Sequence, residues 1–356
     1  MQDQDYTAFE FEGRWQDYAP IAFTNLLLTL VTLGIYRFWG KARTRSYLWA
    51  HTRFIDDRLQ WVGTGGELFR GALMALVVIV LPLVLLNMVV QSLMLHGRTA
   101  LGGLLGLVQF GLLFFLIGLA LFRSLRYRLS RTYWRGIRGG SEDPGLAYGW
   151  SYLWKRVVSV IPFGLLVPWS LVCLWNERWS RMSFGQYRFT ATATTDGLMG
   201  RFLLCYLAPF AGLLVVGLAM AAAVGLTGGA PAPKGPLIAV AVLAGIFGFY
   251  LLFGLVVMAF YAKFFRQMVE GMSLHTLTFR FSATTRDWFV LILGDFALVL
   301  ATLGIGLIFL DYRHWKFFIT HLEAFGEIEM EAIGPSTTPE LRQGEGLLDA
   351  FDMGAL

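Results

Sequence analysis

Four stretches of the chain, residues 72–95, 101–122, 202–227 and 237–262, carry no charged side chain. Each is long enough to cross a hydrocarbon core of about 30 Å, which takes about 20 residues of helix. Inside lipid such segments must satisfy their own backbone, so helices are the economical solution. Composition points the same way. Hydrophobic residues are 56% of the chain and charged ones 15%, against about 25% charged in a soluble domain, and mean hydropathy is +0.59. This is the composition of a membrane protein. The opening "MQDQDYTAFEFEGRW" is acidic and polar, where a signal peptide has a basic n-region and an apolar core, so no signal peptide is expected.

Between and around these runs the chain repeats itself. At an offset of 130 residues Gly34 meets Gly164, Trp39 meets Trp169, Trp49 meets Trp179 and Phe54 meets Phe184. At an offset of 270, Thr32-Leu33-Gly34-Ile35 meets Thr302-Leu303-Gly304-Ile305, Arg43 meets Arg313 and His51 meets His321. Three copies of one unit are expected, over 1–70, 123–200 and 263–332. Two apolar helix pairs separate them, over 71–122 and 201–262, and an acidic, disordered tail follows over 333–356. Each unit begins with an alternating stretch such as "AFEFEG", "TYWRGIR" or "TLTFRFSA", a strand signal. A glycine-centred apolar segment, a basic aromatic helix and a second strand-like stretch follow.

Whether the glycine-centred segments cross is decided by charge. If only the four long runs cross, 27 of the 29 Lys and Arg lie on one side, leaving Arg98 and Lys234 on the other. If all seven apolar segments cross, the split is 10 against 19. Cytoplasmic loops carry the Lys/Arg excess, which favours four spans, cytoplasmic termini and three re-entrant or interfacial hairpins breaking at Gly34, Gly164 and Gly304. The six strand candidates then share one face and can form a cytoplasmic β-layer.

The run "NLLLTLVTLGIYRFWGKAR", preceded by Phe11 and Gly13 and followed by "HTRF" and "GTGGELFRG", resembles the YjgN-like family of bacterial inner-membrane proteins, a domain of unknown function. The likeness extends over roughly residues 8–330, and "SRTYWRGIRGG" resembles the family's middle element. The sequence departs from the pattern at His51, where the family has Asn, and in the second copy, which lacks the Thr-Leu-Gly-Ile core. The resemblance implies an inner-membrane location and no settled activity. Family members often occur beside membrane-associated metalloproteases, which implies a partner role.

Chemistry is sparse. There is no H-E-x-x-H, C-x-x-C, G-x-S-x-G, Walker or Rossmann pattern, so no catalytic, cofactor or metal residues are expected. Cys173 and Cys205 lie in or beside apolar runs and read as packed thiols. His51, His314 and His321 read as interfacial polar residues. One position is polar in all three units: Asn25, Lys155 and Asp295. These could face one shared polar cavity, with Lys155 and Asp295 paired. Trp39, Lys41, Arg43, Arg45, Arg126 and Arg128 lie in helices mixing Arg with Trp and Tyr, which suits contact with anionic headgroups. Basic residues beside membrane segments report topology, so membrane lipids are expected as partners and nucleic acid is not. Small residues at Gly102/Gly106 and Gly111/Gly118 read as close-packing faces.

These features favour a non-enzymatic partner or scaffold over the alternative, a transporter, channel or lipid-moving protein that would use the polar position of the repeats.

Overall fold

A computed structural model describes residues 8–226, 236–326, 334–336 and 338. The connection holding Lys234 and nearly all of the tail 333–356 lie outside the described residues. The chain begins with β1 (Phe9–Phe11), α1 (Trp15–Val31), α2 (Arg37–Ala50), β2 (Thr52–Phe54), β3 (Asp57–Arg58) and β4 (Gln60–Trp61). A first long helix pair follows, α3 (Gly65–Ala75) running through a π-turn into α4 (Leu81–Leu95), then α5 (Thr99–Arg131). Next come β5 (Thr132–Trp134), β6 (Ile137–Gly140), α6 (Leu146–Val160), α7 (Val167–Trp179), β7 (Ser183–Phe184) and β8 (Tyr187–Ala191). The second long pair is α8 (Leu198–Leu226) and α9 (Pro236–Glu270). The rest is β9 (Met272–Leu274), β10 (Leu277–Phe281), α10 (Thr285–Ala301), a 3-10 turn, α11 (Leu310–Thr320) and β11 (Leu322–Phe325).

Gly65–Leu95, Thr99–Arg131 and Gly248–Glu270 are long and apolar enough to cross a bilayer. Leu198–Leu214 is apolar but shorter, and the rest of the expected run 202–227 lies where side chains are not described. These helices expose their apolar side chains: Leu107 is 71% accessible and Leu213 also 71%. Helices so exposed have lipid as their solvent, and the protein is a membrane protein. Two of them outrun the uncharged stretches, because α5 continues past Phe122 to Arg131 and α9 past Ala262 to Glu270. Their ends are buried, with Phe122, Tyr127, Ala262 and Met268 all nearly inaccessible, and they lead directly into β5 and β9.

Each glycine-centred segment is a helical hairpin, and the turn chemistry explains its sequence. In the first, Leu33 (φ 51°) and Gly34 (φ 92°) are both left-handed. The Gly34 N–H donates to the Thr29 carbonyl at 2.8 Å and the Leu33 N–H to Leu30 at 3.2 Å, the paired bonds that close a Schellman helix end. The Thr32 hydroxyl donates to the Leu28 carbonyl at 2.7 Å and accepts from the Tyr36 N–H at 2.9 Å. Thr302 does the same between Leu298 and Gly306, beside Leu303 (φ 50°) and Gly304 (φ 94°). In the second hairpin Phe163 (φ 54°) and Gly164 (φ 84°) take this conformation, with Pro162 at the threonine position.

Strands close the base of each hairpin. Phe9 pairs with Phe54 across α1–α2, Gly139 with Phe184 across α6–α7, and Phe281 with Leu322 across α10–α11. Both ends of every hairpin therefore lie together. Some stretches expected as single strands are tight β-hairpins. "TYWRGIR" turns at Arg135 (φ 50°) and Gly136 (φ 76°), the two positive values a two-residue primed turn needs. The antiparallel ladder runs β11-β10-β9-β8-β7-β6-β5-β4, beside β1-β2-β3, and β11 lies against β1, giving a half-barrel. Indole donors tie the circuit. Trp315 Nε1 reaches Thr52 Oγ1 and Trp49 Nε1 reaches Thr132 Oγ1, both at 2.9 Å, and the Trp49 and Trp315 rings stack at 4.0 Å.

The small-residue reading holds only in part. A Cβ on Gly118 would sit 2.4 Å from that of Tyr152, and one on Gly102 3.1 Å from Met94, whereas Gly111 has nothing within 4 Å.

Candidate functional site

The polar position of each hairpin bonds within that hairpin, although the Asn25 Oδ1 is buried without a partner. Asn25, on α1 and buried, donates from Nδ2 to the Gly40 carbonyl of α2 at 3.1 Å and to Thr44 Oγ1 at 3.5 Å. Lys155 Nζ on α6 lies 2.6 Å from Glu177 Oε2 on α7. Asp295 on α10 receives Arg313 Nε and faces His314 Nε2 on α11, each at 2.6 Å. The expected Lys155–Asp295 pairing is therefore corrected: each group bonds to the return helix of its own hairpin. The reason is distance along the fold. Two antiparallel helices present facing side chains within a few ångströms, so each polar group finds its nearest complement there.

Glu177 is the most heavily used of these groups. It also binds Arg181 NH2 at 2.8 Å and accepts from the Ser151 hydroxyl, while Arg181 NH1 reaches Asp143 at 2.6 Å. Sequence reasoning misses this residue. Its visible signal is the spacing of Glu177 and Arg181, one helical turn apart.

Of the six residues expected at headgroups, two are buried in the base. Arg45 is 8% exposed and lies 4.9 Å over the Trp61 ring, and Arg126 is 6% exposed. Their helices are covered on that side, α2 by β4 and α3, and α5 by β6 and α6. Arg43 is exposed and donates to the Tyr36 hydroxyl at 3.0 Å. Trp39, 36% exposed, packs on Phe69 at 5.5 Å. Lys41 and Arg128 are half-buried. His51 and His321 each close the end of their own helix, with ring Nδ1 lying 2.8 Å from the carbonyl four residues earlier. Cys173 and Cys205 are free and half-buried. Among the described residues, no three His, Cys, Asp or Glu side chains converge as a metal site would require.

The base displays alternating ion pairs on its exposed face, Arg53–Glu10, Arg58–Glu12, Arg135–Asp56 and Arg188–Glu142. Residues 6–350 match the family described as "Bacterial protein of unknown function (DUF898)". The chain belongs to that family. Among curated proteins it is similar to "Inner membrane protein YjgN" of Salmonella typhimurium, 28% identical over 148 residues, 42% of this chain and 34% of that protein. It is also similar to the protein of the same name from Escherichia coli K12, 37% identical over 62 residues, 17% of this chain and 16% of that one. The matched stretches thus span about a third of the Salmonella relative's length and about a sixth of the Escherichia relative's. No solved structure matches the chain.

Proposed function

We propose that this DUF898 protein is a multi-pass protein of the bacterial inner membrane, built from three repeated units, that serves as a non-enzymatic scaffold for a membrane partner protein. Four helices cross, three hairpins dip and return, and both termini and the half-barrel face the cytoplasm. Strand pairing across each hairpin supports the dipping arrangement, since strands on opposite sides of a bilayer could not share a ladder. Lengths support it too. Past the contact of Tyr152 with Gly118, α6 runs on roughly eight residues, about 12 Å, whereas α5 continues about 28 Å to Thr99. The hairpin ends well short of the far side.

The scaffold role rests on one observation: both charged candidates, Lys155 and Asp295, are ion-paired inside their own hairpins, and Asn25 donates within its own. That leaves the ion-paired strand base as the exposed chemistry. A membrane-associated metalloprotease is the partner the family resemblance suggests.

Topology is tested with single cysteines in a chain carrying Cys173→Ser and Cys205→Ser. Gly97→Cys should react with an impermeant thiol reagent in intact spheroplasts, while the exposed base positions Glu142→Cys and Arg188→Cys should not. Labelling of one base position but not the other would mean seven spans. The scaffold role is tested by photo-cross-linkers at Arg58 and Arg188, compared with one at lipid-facing Leu104. One membrane protein should be captured from the base sites alone, and identical capture from all three positions would defeat the reading.

A further inference from the structure

A cavity of about 600 Å³ lies between α6–α7 on one side and α9–α10 on the other. Most of its wall is apolar, from Leu121, Leu171 and Leu174 across to Val257 and Phe264. Two guanidinium groups interrupt that wall. Arg178 is only 7% exposed, stacks over the Trp175 ring at 5.5 Å, and its Nε has no hydrogen-bond partner. Among the described residues no carboxylate or other acceptor is paired with it. Its neighbour Glu177 is already engaged by Lys155 and Arg181. Arg156, on the facing helix, stacks over Tyr152 at 5.2 Å and reaches the Ser170 hydroxyl at 3.5 Å, and its Nε is likewise unpartnered.

Arginine cannot shed its charge in a protein, and a buried cation without a counter-charge is costly. Stacking on an aromatic face compensates only part of that cost. The wall therefore holds two fixed positive charges, in an apolar cleft, that lack an anion. Where the cleft opens settles the kind of anion. Tyr261 and Ile292 line it and are each about half exposed. On the same helix faces lie Phe296, one turn after Ile292 on α10, and Tyr250, three turns before Tyr261 on α9, both exposed. The mouth thus belongs to the lipid-facing belt. Arg178 lies in the last turn of α7, close to β7, and Arg156 lies nearer the hairpin tip. The two charges are staggered from the base inward.

We propose that this cleft is a binding site for one anionic phospholipid of the base-side leaflet. Its phosphate is held by Arg178 and Arg156, and an acyl chain runs along the apolar wall toward α9. The assignment rests on the hairpins facing lipid and does not depend on the scaffold role.

The test uses the full chain purified in mild detergent, titrated with phosphatidylglycerol or phosphatidylethanolamine and read by native mass spectrometry. The wild type should bind phosphatidylglycerol at least tenfold more tightly than phosphatidylethanolamine, and the double variant Arg156→Gln/Arg178→Gln should lose that preference. Gly254→Leu provides a second route that keeps both arginines. Gly254 lines the cleft and a Cβ there meets nothing within 4 Å, so a side chain can start from this position without a clash and take up cleft volume. It should weaken phosphatidylglycerol binding several-fold, while Arg280→Gln, exposed on β10, leaves it unchanged. Equal binding of the two lipids by the wild type overturns the site, as does full retention of phosphatidylglycerol by Gly254→Leu. Displacement of the lipid by an equal concentration of inorganic phosphate would show a soluble-anion site instead. If the double variant does not fold, Gly254→Leu decides alone.

Discussion

Neutralising Glu177 should unfasten the second hairpin, and the size of the effect follows from its surroundings. Its carboxylate joins Lys155 at 2.6 Å and Arg181 at 2.8 Å, and the Lys155 and Glu177 side chains are 13% and 19% exposed. Two unit charges 4 Å apart attract by about 4 kcal/mol at an effective dielectric constant of about 20. Desolvation offsets much of that gain while the pair is intact, but removing one partner leaves the other buried and costs about 3–5 kcal/mol. Arg181 keeps Asp143 as a second partner, so the loss falls mainly on Lys155, and Glu177→Gln should cost about 3 kcal/mol. Adding Lys155→Met should recover about half of it. The measurement is a double-mutant cycle on reversible unfolding in detergent micelles. A single-variant cost below about 1 kcal/mol, or coupling within about 0.5 kcal/mol of zero, would refute the reasoning. The matching cycle on Lys155 and Asp295 should be additive, because each has its own partners; coupling above about 1 kcal/mol there would restore the shared cluster.

Gly34→Leu should cost about 1–2 kcal/mol, the penalty of a left-handed backbone alone, since nothing lies within 4 Å of the added Cβ. Gly118→Ala should cost about 1–3 kcal/mol by overpacking against Tyr152, while Gly111→Ala should be silent; circular dichroism melts in micelles distinguish the three. At the start of α10, Thr284 and Asp287 form a capping box, so Thr284→Ala should cost about 1 kcal/mol. The Asp287 carboxyl is held below the ordinary carboxylate range, mainly by the Thr284 side-chain bond and then by its backbone N–H. The resulting stability is complete above that ordinary range and is lost as pH falls through the depressed value. Asp287→Asn should therefore flatten the acid limb of a pH–stability curve below about pH 4. Leu33→Gly should lower stability in micelles by up to about 1 kcal/mol, because the transfer into hydrocarbon that it loses outweighs the strain that it relieves; a raised melting temperature would refute the anchor.

The hairpins were legible because their chemistry is local. Gly34 and Gly304 stand in turns whose bonds are all made within about five residues, and Thr32 and Thr302 supply the hydroxyl that each turn needs. Side-chain partners across a hairpin were not legible, because the face each helix turns to its neighbour depends on a crossing geometry that no single helix encodes. Glu177 and Thr44 were therefore missed as the partners of Lys155 and Asn25. Arg45 and Arg126 looked like headgroup anchors for a related reason. Charge and aromatic content describe a helix surface, but only the fold shows that β4 and α6 cover these sides. Arg178 left no signal, since an arginine next to a tryptophan at a helix end reads as an interfacial anchor until its counter-charge is found missing.

The tips of the hairpins join sequence, strain and solvent in one argument. In most Schellman ends the left-handed residue after the cap is glycine, yet here it is Leu33, Phe163 and Leu303, with glycine displaced to the next position. A left-handed conformation costs an L-residue about 1–2 kcal/mol, and in water an outward-pointing leucine returns nothing for it. These three side chains are 92%, 84% and 93% exposed, so packing within the protein does not compensate the strain. Moving a leucine or phenylalanine side chain from water into hydrocarbon is favourable by about 1.5–3 kcal/mol, which exceeds the strain. On the proposed dipping topology the tips lie in lipid, and the balance then closes. A strained apolar residue at the same place in three hairpins would there act as an anchor, set where the chain turns back and reaches furthest from its base.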